Sequence, residues 1–171
     1  MTVLGKEFSN LKKDINGGDS ALSSATIEKQ STYGILSDAA RLLDDRVAKK
    51  TQNHHLQAGA RRVLASLAIR DGVSQLDLIH ATHLKAPTIS LIVQKMEHDG
   101  VITRKTDDLD MRLTRVFLTE KGAEMNAQIL EEIHAVENEA MADFTDKERA
   151  VFQDLISRIY INMEASYKEH N

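Results

Sequence analysis

The chain has no cysteine, so disulfides, thiolate metal sites and thiol-based peroxide sensing are all unavailable to it, and nothing points to an oxidising compartment. No apolar run approaches the roughly 18 uncharged residues that a membrane span needs. The opening stretch MTVLGKEFSNLKKDINGG has no apolar core of a secretory signal. A cytoplasmic protein with no membrane partner is expected. Catalytic signatures are missing too: there is no G-x-S-x-G elbow, no phosphate-binding glycine loop, no H-E-x-x-H and no cysteine nucleophile. An enzyme is therefore not expected, nor any cofactor. Positive charge is the last shortage, with 22 Lys and Arg against 26 Asp and Glu and a net charge of −4. That balance counts against nucleic acid, because phosphates are neutralised by Lys and Arg. It averages over all faces, however, and the placement of the cations decides the matter.

What the chain does have is a length of 171 residues, enough for one domain with a real core, and an apolar fraction of 42%. Residues 1–30 are polar, with NGGDS at Asn16 to Ser20 as a turn, and read as an appended arm. From Tyr33 a helical period begins, carried by Tyr33, Leu36, Ala40, Leu43 and Val47. A second helix follows with Ala60, Val63, Leu64 and Leu67 on one face, and Asp71-Gly72 supplies a left-handed stop.

The segment VSQLDLIHATHLKAPTISLIVQKMEHDG, Val73 to Gly100, carries the most punctuation. Ser74 and Asp77 have the spacing of a capping box and open a short helix through about Thr82. Pro87, the only proline, suits the first position of the next helix and pushes Ala86 out of helical geometry. Ile89, Ile92, Val93 and Met96 then repeat at core spacing, which turns Thr88, Ser90, Leu91, Gln94 and Lys95 outward. After Gly100 the period changes. Val101 to Lys105 and Leu113 to Leu118 are rich in β-branched and apolar residues and read as a β-hairpin around a polar loop. Two helices at a tight turn followed by one hairpin outline a winged helix-turn-helix. Thr119 caps a long helix carrying Met125, Ile129, Ile133, Val136 and Ala140, and Thr145 with Glu148 opens another carrying Phe152, Leu155, Ile156, Ile159 and Met163. Their stripes exceed what the small central module can cover, so packing with the first helix of this chain and of a second copy is expected.

The outward residues suit DNA. Hydroxyls, an amide and an ammonium on one helical face can meet base edges and phosphates, so Lys85, Pro87, Thr88, Ser90, Gln94 and Lys95 form the candidate recognition set. In the wing, Arg112 is the candidate for a minor groove, which attracts guanidinium through its negative potential. Asp110, two residues earlier, is expected to orient Arg112 through a bidentate pair, and Arg115 joins them as the third wing residue. Asp107 and Asp108 have no such role and are left to turn formation, solvent or the weakening of non-specific binding. Across Val73 to Leu118, Lys85, Lys95, Arg104, Lys105, Arg112 and Arg115 balance Asp77, Glu97, Asp99, Asp107, Asp108 and Asp110, so modest salt dependence is expected.

In order and pattern these residues resemble the MarR family of transcription regulators. The resemblance covers about Tyr33 to Tyr167 and rests on APTISLIVQKMEHDGVITR, a wing containing Asp-Met-Arg, and LTEKG opening a long helix, with Asp110 and Arg112 matching the family's Asp-x-Arg element. It implies a mainly α fold, with a winged helix-turn-helix over 57–118 and dimerisation helices at 31–56 and 119–171. It further implies an obligate homodimer that reads a pseudo-palindromic operator in double-stranded DNA as a repressor, relieved by a small aromatic or phenolic ligand held between the dimer helices and the DNA-binding module. Arg61, Arg62, His54 and His55 could meet an anion near that cleft, but no ligand residue is singled out. The missing cysteine excludes the family's thiol-oxidation mechanisms.

Two other readings stay open on the sequence. The terminal stripes also suit a helical interaction or scaffold module without DNA binding, in which alanine at Thr88, Gln94, Lys95 and Arg112 would be tolerated. The histidines allow a zinc-responsive regulator: His80 and His83 lie three apart, and Glu131-x-x-His134 is half of a di-iron motif. The first pair has no obvious third ligand and the second no matching half, so no metal is assigned.

Overall fold

The computed structural model describes residues 31–169, and the polar arm expected over 1–30 lies outside them. The chain divides into two compact units, one ending at Leu42 and one beginning at Leu43. The first unit, as described, is the opening of helix α1 (Thr32–Lys50), whose amino end is capped by the Ser31 hydroxyl accepting the Gly34 N–H at 3.1 Å. Everything below concerns the second unit.

After α1 a single turn of 3-10 helix (Gln52–His54) leads to α2 (Ala58–Ile69). Ala60, Val63, Leu64 and Leu67 are its buried face, as their spacing predicts. The expected stop at Asp71-Gly72 needs correction. The helix is capped by Arg70 in extended conformation, and Gly72, at φ +68°, instead bends the chain into a short strand, β1 (Val73–Ser74). A side chain at Gly72 would run into the Phe117 ring as well as strain the backbone.

Helix α3 (Gln75–Thr82) starts on the capping box read from the sequence: the Ser74 hydroxyl accepts the Asp77 N–H at 3.1 Å and the Asp77 carboxylate accepts the Ser74 N–H at 2.8 Å. His83, at φ +55°, makes the turn into α4 (Ala86–His98). Here Ala86, expected outside the helix, is its first residue and Pro87 its second. Both positions lie in the turn whose N–H groups have no helical acceptor, so the proline costs nothing at either.

The hairpin consists of β2 (Ile102–Thr106) and β3 (Thr114–Leu118), paired antiparallel from Ile102 opposite Leu118 to Thr106 opposite Thr114. Its other edge pairs with β1, which makes a three-stranded sheet of order β1-β3-β2. The sequence reading had two strands; a strand of two residues is too short to display a period.

Helix α5 (Glu120–Ala140) is capped by the Thr119 hydroxyl accepting the Gly122 N–H at 3.1 Å, and α6 (Asp146–Glu169) by Thr145 and Glu148, which bond reciprocally. Arg149 donates to the Met141 carbonyl at 2.6 Å and to Asn138 at 3.1 Å, fixing the corner between α5 and α6. One core joins these parts: Val63, Leu64 and Leu67 meet Leu78, Ile89, Val93, Met96, Val101, Ile102, Val116 and Ile129. Burying such side chains stabilises the fold by about 1.5–3 kcal/mol each. The stripe of α6 is present but uncovered, with Phe152, Leu155, Ile159 and Met163 all exposed. No helix among the described residues is long and apolar enough to cross a membrane.

Candidate nucleic-acid interface

The capping box and the His83 turn set α3 and α4 at a fixed angle, and Ile89, Val93 and Met96 anchor α4 from beneath. Geometry then forces Lys85, Pro87, Thr88, Leu91, Gln94 and Lys95 outward, where all are exposed, with Ser90 half-buried at their edge. The recognition set predicted from sequence is thus gathered on one surface. At its carboxyl end Glu97 takes an ion pair from Arg104 of β2, which ties this helix to the wing and holds the Glu97 carboxyl below its ordinary value.

The wing is braced by an acid for which the sequence reading left turn formation as one of three roles. Asp107 is buried, and its Oδ1 accepts the N–H groups of Leu109 at 2.8 Å and Asp110 at 2.9 Å. Its Oδ2 accepts from Arg115, whose guanidinium also donates to the Gly72 carbonyl at 3.0 Å. The chain of contacts runs from the wing tip through Asp107 and Arg115 to the bend before β1. With these donors around it, Arg115 first, the Asp107 carboxyl is pulled down from 3.8 to about 2.

The expected pairing of Asp110 with the Arg112 side chain is not formed. Asp110 instead accepts the backbone N–H of Arg112 at 3.0 Å, because a carboxylate two residues upstream reaches the main chain of a tight turn more directly than a long side chain. The Arg112 guanidinium projects from the tip with no hydrogen bond or ion pair among the described residues. Of the basic residues in the module, Arg104 and Arg115 are engaged within the fold and Lys105 lies 5.4 Å over the Phe117 ring. Lys85, Lys95 and Arg112 remain as exposed cations with no such engagement.

Sequence reasoning missed the pairing of Asp107 with Arg115 although a signal existed. Arg115 pairs across the hairpin with Lys105, so Asp107, two residues on, is its diagonal neighbour on the same face. Glu97, Arg104 and Asp71, whose carboxylate accepts the Leu118 N–H at 2.9 Å, gave no comparable sign. Among the histidines, His54 Nε2 lies 3.4 Å from Glu132, a residue inside the Glu131-x-x-His134 segment considered for metal. No cluster of three or more His, Cys, Asp or Glu able to hold a metal ion occurs among the described residues.

Comparison with known proteins gives a consistent outcome. No family model matches the chain. The transcriptional regulator HosA of Escherichia coli O111:H- is 26% identical over 97 residues, covering 57% of this chain and 72% of HosA. The crystal structure of the transcriptional regulator SlyA superposes with a TM-score of 0.75 at 19% identity, over 83% of this chain and all of that one. A MarR-family regulator from Listeria monocytogenes, crystallised with a 26-mer DNA, superposes with a TM-score of 0.73 at 21% identity, over 81% of this chain and 92% of the other. The chain has the winged helix-turn-helix fold of the MarR-family transcription regulators and is similar to them in sequence.

Proposed function

We propose that the protein is a non-enzymatic cytoplasmic transcription regulator, a repressor that binds a pseudo-palindromic operator as a homodimer. The observation that carries this is the pairing of one polar, exposed face of α4 with a braced wing whose Arg112 points free. Thr88, Ser90 and Gln94 meet base edges in the major groove, Lys85 and Lys95 meet phosphates, Pro87 sets the start of the helix, and Arg112 enters the adjacent minor groove. Asp110 shapes the turn that presents Arg112, and Arg115 positions the wing as a whole. The uncovered faces of α1 and α6 supply the dimer contact, so that 31–56 and 119–171 are the dimerisation regions and 57–118 the reader. Two recognition helices are then set roughly 34 Å apart, one turn of duplex.

A small aromatic or phenolic acid relieves repression by favouring one spacing of the two readers. A groove of about 1280 Å³ bordered by Arg62, Arg70, Lys85 and Tyr160, with Asp77 and Glu164 also on its lining, offers cations and an aromatic ring to such an anion. Selection of bound sequences from a random duplex library tests the core of the reading. An inverted repeat with half-sites about one turn apart is expected; no enrichment, with and without added cell metabolites, would leave a scaffold role in its place.

A further inference from the structure

The wing tip exposes apolar side chains where an electrostatic clamp would be basic. Leu109 is 99% exposed, Met111 82% and Leu113 43%, within a loop of seven residues between Thr106 and Thr114. Single exposed apolar side chains are ordinary on protein surfaces. This group differs because the backbone carrying it is pinned. Asp107 accepts the N–H groups of Leu109 and Asp110, Asp110 accepts that of Arg112, Asp107 donates to the Leu113 carbonyl at 2.9 Å, and Leu113 donates to that of Asp110 at 2.9 Å. Leu109 and Met111 are therefore presented in place, and their insertion into a partner costs little ordering of the main chain.

The charge of the tip narrows the occupant. Asp108 and Asp110 outnumber Arg112, so the tip offers phosphates no net attraction and must gain its contact in another way. One guanidinium with exposed apolar side chains in the same loop fits a minor groove, whose negative potential takes the cation and whose sugar walls and base steps take Leu and Met. The surface is also continuous with the face of α4, through the Glu97–Arg104 pair between that helix and β2.

We infer that the wing tip is a wedge: Leu109 and Met111, which precede Arg112 in the same pinned loop, press into the operator minor groove at a flexible pyrimidine–purine step, partly unstack it and bend the duplex. The inference rests on the DNA-binding reading above and adds the deformation of the DNA.

The test uses the full chain and a duplex recovered by selection, with dyes at its ends to report bending and 2-aminopurine at the step beneath the wing to report unstacking. Wild-type protein is expected to shorten the end-to-end distance and raise the 2-aminopurine fluorescence. The Leu109→Ser/Met111→Ser variant is expected to bind about tenfold or more weakly, the scale of losing one buried apolar side chain, and to leave the duplex straight. Its thermal midpoint should be unchanged, since both residues are exposed, and Leu109→Met/Met111→Leu should restore bend and affinity. Equal binding and bending by the serine variant would overturn the wedge and leave DNA recognition standing. A serine variant whose binding loss accompanies a smaller oligomeric mass would show that the tip contacts a second copy instead. Failure of wild-type protein to select or bind any duplex would overturn the DNA-binding reading and the wedge together.

Discussion

Asp107 shows how one carboxylate can organise a reading surface without touching what is read. Its carboxyl is lowered from 3.8 to about 2 by Arg115 and then by the N–H groups of Asp110 and Leu109. A carboxyl lowered on folding contributes stability that is complete above its unfolded value and is lost as pH falls through its folded value. The wing tip should therefore keep its order at pH 5 and lose it between about 4 and 2. Carboxyl NMR titration of Asp107, with amide exchange at Leu109 and Asp110, checks this; tip amides unprotected already at pH 5 would refute it. The two arginines should separate by salt response. On the proposed reading Arg112→Ala removes a cation from the DNA contact and should make the slope of log affinity against log salt shallower by about one per site. Arg115→Ala should weaken binding by about tenfold, the worth of a typical polar contact, with the slope unchanged. A slope change for Arg115 would place it on the phosphates. Arg112 was legible in the sequence because its loop position alone suggests exposure. Arg115 was named there for the wing as well, but its link to Asp107 went unread, because it shows only once the hairpin register is worked out.

Elements announced themselves where a local hydrogen bond defines them. Ser74 with Asp77, Thr119, and Thr145 with Glu148 were all readable as helix starts, and the structure forms each cap. Ser74→Ala should destabilise the protein by about 1 kcal/mol in denaturant unfolding. Elements defined by distant partners were harder to see. Strand β1 exists because β3 pairs with it, and no feature of Val73-Ser74 alone predicts a strand. Gly122 belongs to the same class: in sequence it is one more residue of a helix start, yet a Cβ there would overlap the Val101 carbonyl. Gly122→Ala should cost about 1–3 kcal/mol through forced displacement of that junction, measured by thermal unfolding. A neutral result would mean that α5 can shift away from β2 freely.

At the scale of the molecule, the acidic whole and the neutral module agree once the engaged cations are set aside. Within Val73 to Leu118, Lys85, Lys95 and Arg112 are the three exposed cations with no engagement inside the fold, so a dimer should show a salt slope of about −5 or shallower. A markedly steeper slope, measured by fluorescence anisotropy on the selected operator, would mean that further cations meet the duplex. The apolar stripe of α6 was legible as excess, and the faces of α1 and α6 are both exposed in one chain. If they are covered by a second copy, the thermal midpoint should rise with protein concentration, whereas a concentration-independent midpoint would argue for a monomer.

The bond from Arg115 to the Gly72 carbonyl has a consequence for signalling. It joins the hairpin to the bend just ahead of α3, while Glu97 and Arg104 join the hairpin to α4, so each reader is a closed frame with little freedom to change shape internally. If the proposed dimer takes an effector, that ligand would reset a caliper rather than blunt its points. Effector-bound protein should then keep its half-site sequence and prefer operators with a base pair added or removed between the halves.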